Sequence, residues 1–110
     1  MEKLPEIKIC GITNFSDAEK SISLGADYLG FIQYPSSPRF IELSLVGELF
    51  KQLPDHSYQK VLVDVNPEPE MLKLYLQEGF EFFQVHFPHD ISINRIDSWK
   101  KVIGAENLWL

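Results

Sequence analysis

The chain has 110 residues, of which 45% are hydrophobic, and this length and composition predict one globular domain rather than a disordered segment. The formal net charge of −6 argues against nucleic acid as a partner, and no apolar run is long enough to predict a membrane span. The single cysteine excludes an intramolecular disulfide, and the amino terminus lacks the apolar core of a signal peptide, so we predict a cytoplasmic protein.

Strand-like and helix-like segments alternate along the whole chain. The second of the strand-like segments, Tyr28–Tyr34, is apolar with little of the alternation expected when one face is exposed, so both of its faces are predicted to be covered. Regular repetition of strand and helix predicts a parallel sheet. The predicted strands are Ile7–Cys10, Tyr28–Tyr34, Val61–Val65, Phe82–His86 and Asn107–Leu110.

Four predicted helices lie between these strands, and signals at their ends delimit them. Ser16 and Glu19 have the spacing of a capping box, which predicts Ser16 as the N-cap of the first helix. Asn66 followed by Pro67 predicts the start of the third helix, with Asn66 as its N-cap. The residues predicted to end the four helices are Gly25, Pro54, Gly79 and Gly104.

This pattern leaves two architectures open, an open five-stranded α/β sheet and part of a (β/α)8 barrel. The first strand lacks a GxGxxG sequence and no Walker-type phosphate loop occurs, which disfavours a nucleotide-binding open sheet. A complete (β/α)8 barrel needs roughly 250 residues, whereas this sequence stops within the apolar segment at Trp109 and Leu110. We therefore expect a truncated piece of a longer enzyme.

Polar side chains follow the ends of the predicted strands, where parallel α/β proteins bind their ligands. Cys10 is either a buried apolar filler or a thiolate that acts as base or nucleophile. Arg39 is either a solvated loop residue or a fork for a carboxylate or phosphate. Gln84 and His86 share one face of their strand, either as packed polar residues or as ligand contacts. Asp64 is either a capping partner at a strand end or a candidate acid.

Five strings occur in order along the chain, namely KICGIT, GADYLGF, SPR, VNPEPE and QVH. In this order and spacing they resemble the phosphoribosylanthranilate isomerase family, of which KICGIT is the most diagnostic string. The resemblance implies an α/β protein of the parallel (β/α)8 or TIM-barrel class, here with about the first four and a half βα units. Residues 1–110 are then the amino-terminal part of a single barrel domain.

The same resemblance implies an Amadori rearrangement of N-(5-phosphoribosyl)anthranilate in tryptophan biosynthesis, without a cofactor or a metal. Cys10 matches the family's general base, and Arg39 matches the residue that pairs with the anthranilate carboxylate. Gln84 and His86 match a pair near the substrate on the fourth strand. The family's general acid and phosphate-binding loops lie in later strands, so we expect the 110-residue chain to be inactive by itself.

Four positions depart from the family's pattern. Phe87 follows the fourth-strand histidine where the family usually has glycine, and Asp64 occupies a position that is usually apolar. Gln33 and Glu42 replace a common aromatic residue and a common serine around the SPR turn. The alternative to an isomerase piece is a half-barrel that binds a partner or a ligand without catalysis and assembles across its open edges.

Overall fold

The computed structural model describes residues 5–54 and 57–110. These residues form strands and α-helices in strict alternation, and no helix among them is long and apolar enough to cross a membrane. The strands are β1 (Lys8–Cys10), β2 (Tyr28–Ile32), β3 (Gln59–Val65), β4 (Phe82–His86) and β5 (Leu108–Trp109). The helices are α1 (Phe15–Ser23), α2 (Leu43–Gln52), α3 (Pro69–Glu78) and α4 (Ile93–Ile103), and a short 3-10 helix, Ala105–Asn107, precedes β5.

The strands form one parallel sheet in the order β1-β2-β3-β4-β5. Cys10 on β1 pairs with Gly30 on β2, and Gly30 pairs with Val61 on β3. Each strand therefore lies beside the strand that follows it along the chain. A doubly wound sheet reverses its order at a switch point, which this sheet does not do. Sequential order with an intervening helix is typical of a (β/α)8 barrel and decides between the two predicted architectures.

Alternate strand residues point to opposite faces of the sheet, and the helices cover only one of them. The helix-covered face forms an apolar layer that includes Leu29, Phe31, Leu62, Phe83 and Val85 from the strands and Ala18, Val46, Leu72 and Trp99 from the helices. On the other face, Ile32, Val61 and Val63 form a smaller cluster against which Cys10, Tyr28, Phe82 and Trp109 pack. Every residue of this second cluster comes from a strand.

The sheet curls, so that side chains from distant strands meet on the helix-free face. Lys8 on β1 donates a hydrogen bond to the side-chain oxygen of Gln84 on β4. The ring of Tyr28 on β2 lies 5.3 Å from the ring of Trp109 on β5. In a flat sheet β1 and β4 would be about 14 Å apart, a gap that one lysine side chain does not bridge. We call the helix-free side of this curled sheet the concave face.

Helix α1 begins two residues earlier than the capping-box pattern predicts. Asn14 is the N-cap, because its side-chain oxygen accepts a 2.8 Å hydrogen bond from the Asp17 N–H. The side-chain nitrogen of Asn14 donates in turn to the Asp17 carboxylate at 2.9 Å. These reciprocal bonds hold the first turn and leave Ser16 inside the helix, so the predicted N-cap is wrong. The predicted end is confirmed, since Gly25 has a φ of +97° and donates its N–H to the Ile22 carbonyl.

Helix α3 begins two residues later than predicted. Asn66 has a left-handed backbone with a φ of +44°, which is not the extended conformation of an N-cap. Glu68 is the N-cap and Pro69 takes the first helical position. The side-chain oxygen of Asn66 instead accepts a 3.0 Å hydrogen bond from Arg95 on α4. A tertiary contact thus overrides the local signal, and the prediction for Asn66 is wrong, whereas Gly79 ends α3 as predicted.

One carboxylate lies in the apolar layer between the sheet and α3. Asp64 is only 8% exposed. Its oxygens accept hydrogen bonds from the Val65 N–H at 2.7 Å and from the Tyr75 hydroxyl at 3.0 Å. Burial raises the pKa of Asp64, and the two hydrogen bonds offset part of that rise. The pKa of Tyr75 is also raised, mainly by burial and to a lesser extent by the negative charge of Asp64.

The buried carboxyl of Asp64 predicts a stability that depends on pH. Because its pKa is higher in the folded chain than in the unfolded chain, the proton on Asp64 stabilises the fold fully below pH about 3.9. That stabilisation is lost as the pH rises through the higher folded pKa. Asp64→Asn removes the charge. The free energy of unfolding of this variant, measured by urea denaturation, should therefore rise relative to that of the wild type as the pH increases from 4 to neutral.

A matched control is Asp97→Asn, since Asp97 lies exposed on α4. We expect this variant to follow the wild type at both pH values. A constant difference between Asp64→Asn and the wild type across the pH range would contradict the prediction.

Candidate active site at the carboxyl ends of the strands

Cys10 ends β1 on the concave face and is half-buried. It packs on the apolar floor formed by Ile32, Val61 and Val63. Gly30, its neighbour in register on β2, leaves room for the thiol, because a methyl group at Gly30 would lie 3.2 Å from the Cys10 sulfur. The thiol is thus held against apolar side chains while part of the residue stays open to solvent.

Arg39 folds back from the loop between β2 and α2 onto the end of β1. Its Nη1 donates a 3.3 Å hydrogen bond to the carbonyl oxygen of Cys10, 29 residues earlier in the chain. Gly11 lies directly beneath this side chain and has a φ of +84°. A methyl group on Gly11 would come within 2.8 Å of Arg39 Cδ and Nη1. Glycine therefore satisfies both the left-handed backbone and the close approach of the guanidinium.

The loop that carries Arg39 is tied to the sheet by Gln33, a buried residue that directly follows β2. The backbone N–H of Gln33 donates to the Val63 carbonyl at 2.8 Å, which extends the sheet by one bond. Its side-chain nitrogen donates to the Ile41 carbonyl at 2.6 Å, across the base of the loop. Gln33 thus ties the start of the loop to β3 and to the Ile41 carbonyl at its other end.

Gln84 and His86 project from β4 at the same parity, and their Nε2 atoms lie 3.4 Å apart. Lys8, two residues before Cys10 on β1, bonds to Gln84, and its ammonium lies 5.9 Å from the centre of the Trp109 ring. An ammonium group only donates hydrogen bonds, so the Gln84 atom that it contacts is the amide oxygen. The amide NH2 of Gln84 is then directed at His86, and Gln84 links Lys8 to His86.

Asp64 is not brought to this site. Cys10 and His86 lie at the carboxyl ends of their strands, Arg39 folds onto the end of β1, and Gln84 lies in the middle of β4 on the same face as His86. Asp64 faces the opposite side of the sheet, where it bonds to Tyr75 on α3. Side-chain alternation accounts for this, because Val63 and Val65 on either side of Asp64 take the concave positions of β3.

Two residues that sequence reasoning missed contribute to the arrangement. Lys8 carried a usable signal, because a residue two positions before Cys10 on a strand must share its face. Gln33 carried no such signal, since its acceptor, the Ile41 carbonyl, is set by the path of the loop. Strand parity alone finds Lys8, whereas only the folded loop identifies Gln33.

Among residues 5–54 and 57–110, one cavity beside the sheet touches these residues and a larger one does not. A groove of about 330 Å³ is lined by Cys10, Gly11 and Arg39 together with residues of α1. A larger cavity of about 580 Å³ lies at the amino ends of the strands, with Glu6 and Asp27 in its lining. Ligands of parallel barrels bind at the carboxyl ends of the strands, so the larger cavity is not part of the candidate site.

The link from Lys8 through Gln84 predicts the tautomer of His86. When the imidazole is neutral, His86 Nε2 should accept from the Gln84 amide, with the ring proton on Nδ1. Lys8→Met keeps the length of the side chain but removes the donor, so the Gln84 amide is free to flip by 180°. We expect nitrogen NMR to show one tautomer in the wild type and a mixture in Lys8→Met.

Lys60→Met is the matched control, because Lys60 alternates onto the helix-covered face of β3. This variant should leave the His86 resonances unchanged. Identical His86 spectra in Lys8→Met and the wild type would contradict the proposed link.

Comparison with known proteins shows which family shares this sequence and fold. The family model described as N-(5'phosphoribosyl)anthranilate (PRA) isomerase matches residues 7–104 of the chain. The N-(5'-phosphoribosyl)anthranilate isomerase of Aquifex aeolicus is 42% identical over 98 residues, which cover 89% of this chain and 48% of that protein.

Solved structures agree with the sequence relatives. The crystal structure of phosphoribosyl anthranilate isomerase from Thermotoga maritima superposes with a TM-score of 0.79 at 34% identity, over 91% of this chain and 48% of that one. A phosphoribosyl anthranilate isomerase in complex with reduced 1-(o-carboxyphenylamino)-1-deoxyribulose 5-phosphate also has a TM-score of 0.79 and 34% identity, over 91% of this chain and 50% of that one. The chain spans about half the length of these relatives, and it belongs to the N-(5'-phosphoribosyl)anthranilate isomerase family.

Proposed function

We propose that the protein to which these residues belong isomerises N-(5'-phosphoribosyl)anthranilate by an Amadori rearrangement, as a step of tryptophan biosynthesis. The observation that carries this proposal is the placement of Cys10 at the end of β1 with Arg39 folded over Gly11 beside it. Family membership supports the substrate class, and a family member binds a reduced phosphorylated analogue that carries the carboxyphenylamino group.

In the proposed reaction, protonation of the ribose ring oxygen opens the sugar and leaves a Schiff base. The iminium makes the neighbouring C2′ proton acidic, so a base of moderate strength is sufficient to remove it. We assign this role to the Cys10 thiolate, which lies at the strand end above an apolar floor. The resulting enol then tautomerises to the ketose, which is the 1-deoxyribulose 5-phosphate product.

Arg39 is proposed to bind the anthranilate carboxylate, since a guanidinium offers a planar pair of donors that matches two carboxylate oxygens. In the described structure its Nη1 contacts a carbonyl rather than a carboxylate, which leaves other guanidinium N–H groups to bind an anion. Gln84 and His86 are proposed to contact the substrate from β4, on the same concave side. Asp64 has no role in this proposal, because its carboxylate lies on the helix-covered face.

We propose that the activity needs more than residues 1–110. The relatives are about twice as long as the part that this chain matches, and we propose that residues 1–110 are the amino-terminal part of one barrel domain. The general acid and the phosphate-binding loops would then come from the other part of the barrel. A cytoplasmic location for the enzyme stays a prediction.

The proposal is tested by an isomerase assay on two preparations, the 110-residue chain and a chimera of this chain with the carboxyl-terminal half of the Aquifex aeolicus relative. We expect turnover in the chimera and none in the 110-residue chain. In the chimera, Cys10→Ala should lower kcat by about two orders of magnitude or more, with Cys10→Ser retaining a trace. A folded but inactive chimera would contradict the proposal, and nearly normal turnover of Cys10→Ala would refute the assigned base.

Gly11 offers a separate test of the role of Arg39. Gly11→Ala places a methyl group against the arginine side chain at a positive φ, whereas Gly25 also has a positive φ but nothing within 4 Å of such a methyl group. Both variants should lose about 1–3 kcal/mol of stability through backbone strain. Only Gly11→Ala displaces Arg39, so in the active chimera we expect a raised KM in Gly11→Ala and an unchanged KM in Gly25→Ala. Equal KM values in both variants would contradict this prediction.

A further inference from the structure

Arg95, in the first turn of α4, reaches across to the loop between β3 and α3. Its Nε donates to the Asn66 side-chain oxygen at 3.0 Å, and its Nη2 donates to the Asn66 carbonyl at 3.2 Å. Its Nη1 and Nη2 also donate to the two oxygens of the Glu68 carboxylate, at 3.2 and 3.4 Å. One guanidinium therefore binds three groups of a single loop, in the planar fork geometry that lysine lacks.

One of the two residues that Arg95 binds, Asn66, is in an unusual backbone conformation. Asn66 is the one non-glycine residue with a positive φ, at +44°, among residues 5–54 and 57–110. Asparagine tolerates this conformation better than most side chains, but it is still a sparsely populated one. The backbone N–H of Asn66 donates to the carbonyl oxygen of His86 at 2.8 Å. Arg95 thus holds, by two bonds, the residue that attaches the loop to the end of β4.

A second contact between α4 and the same loop lies beside the first. The Trp99 ring is fully buried, and its Nε1 donates to the Pro67 carbonyl at 2.9 Å. The Arg95 guanidinium lies 5.9 Å from the centre of this ring. Phe87, the residue directly after His86, packs on Trp99 from the other loop with ring centres 6.3 Å apart. The loops that follow β3 and β4 are therefore joined to each other through one turn of α4.

We propose that Arg95 is a positioning residue for the candidate active site. It fixes Asn66 in its left-handed conformation, and Asn66 in turn holds the backbone of His86 at the rim of the concave face. The inference rests on the proposed function only for its effect on substrate. Its structural part, the restraint of Asn66 and His86 by Arg95, stands on the contacts alone.

The ion pair with Glu68 by itself does not account for this arrangement. The side chain of Glu68 is 68% exposed, whereas that of Arg95 is 26% exposed. Exposed ion pairs contribute little to stability, even where two guanidinium nitrogens contact both carboxylate oxygens, as they do here. The two bonds to Asn66 require the separate donors of the guanidinium, so Arg95→Lys and Arg95→Met should both release the loop.

The first measurement is amide hydrogen exchange in the complete protein encoded by the reading frame that contains these residues. Arg95→Met keeps the apolar stem of the side chain and removes all its donors. We expect exchange of the Asn66 N–H to accelerate about tenfold or more relative to core amides in both Arg95→Met and Arg95→Lys. Lys101→Met, an exposed change in the last turn of the same helix, is the matched control and should leave the rate unchanged.

The second measurement is steady-state kinetics on the same proteins. Displacement of His86 should raise KM about 5- to 20-fold in both Arg95 variants and change kcat less than about threefold. A fall in Tm with KM and the relative Asn66 exchange rate unchanged would show a structural role only and would overturn the proposal. Wild-type behaviour of Arg95→Lys in both measurements would also overturn it, because charge alone would then suffice.

The two proposals fail in different ways. If the complete wild-type protein has no isomerase activity, the proposed function fails, and exchange of the Asn66 amide still decides whether Arg95 restrains the loop. If the wild type is active but the Arg95 variants have its Asn66 amide exchange rate and its kinetic constants, the positioning role fails and the proposed function stands.

Discussion

Burial of four helices against one face of a parallel sheet is the interaction on which the rest of the structure depends. The strand residues of this apolar layer alternate with residues that must point to the concave face. Lys8, Cys10, Gln84 and His86 all occupy such positions. The packing of the helices therefore decides which polar side chains are able to meet.

The same constraint separates two polar residues that the sequence alone does not distinguish. Asp64 and His86 both lie near the carboxyl ends of buried strands. Side chains alternate between the two faces, and Asp64 pairs in register with Val85 rather than with His86. Asp64 therefore points toward the helices, where burial raises its pKa and Tyr75 supplies a hydrogen bond. His86 instead reaches the open rim. In a parallel sheet, position along the strand gives the end at which a side chain lies, and parity gives the face.

Long-range polar contacts then set the shape of the loops around the concave face. Gln33 bonds across the base of the loop that carries Arg39, and Arg95 bonds to Asn66 in the loop after β3. Arg95 is a donor from another element, 29 residues from Asn66, whereas Gln33 bonds across eight residues of its own loop. Each loop is attached to a strand end of the candidate site, so these contacts connect loop geometry to the positions of the Cys10 backbone and His86.

The sequence by itself determined the order of strands and helices, the glycine ends of α1 and α3, and the presence of Cys10 at a strand end, because these depend on local pattern and on alternation. It did not determine the N-caps of α1 and α3, where neighbouring candidates compete and a contact from α4 removes Asn66 from the choice. The curl that joins Lys8 to Gln84, and the closure of Arg39 over Gly11, arise only when distant segments pack. Local periodicity specifies which element a residue belongs to, whereas the partner of each side chain is decided by contacts between residues far apart in the chain.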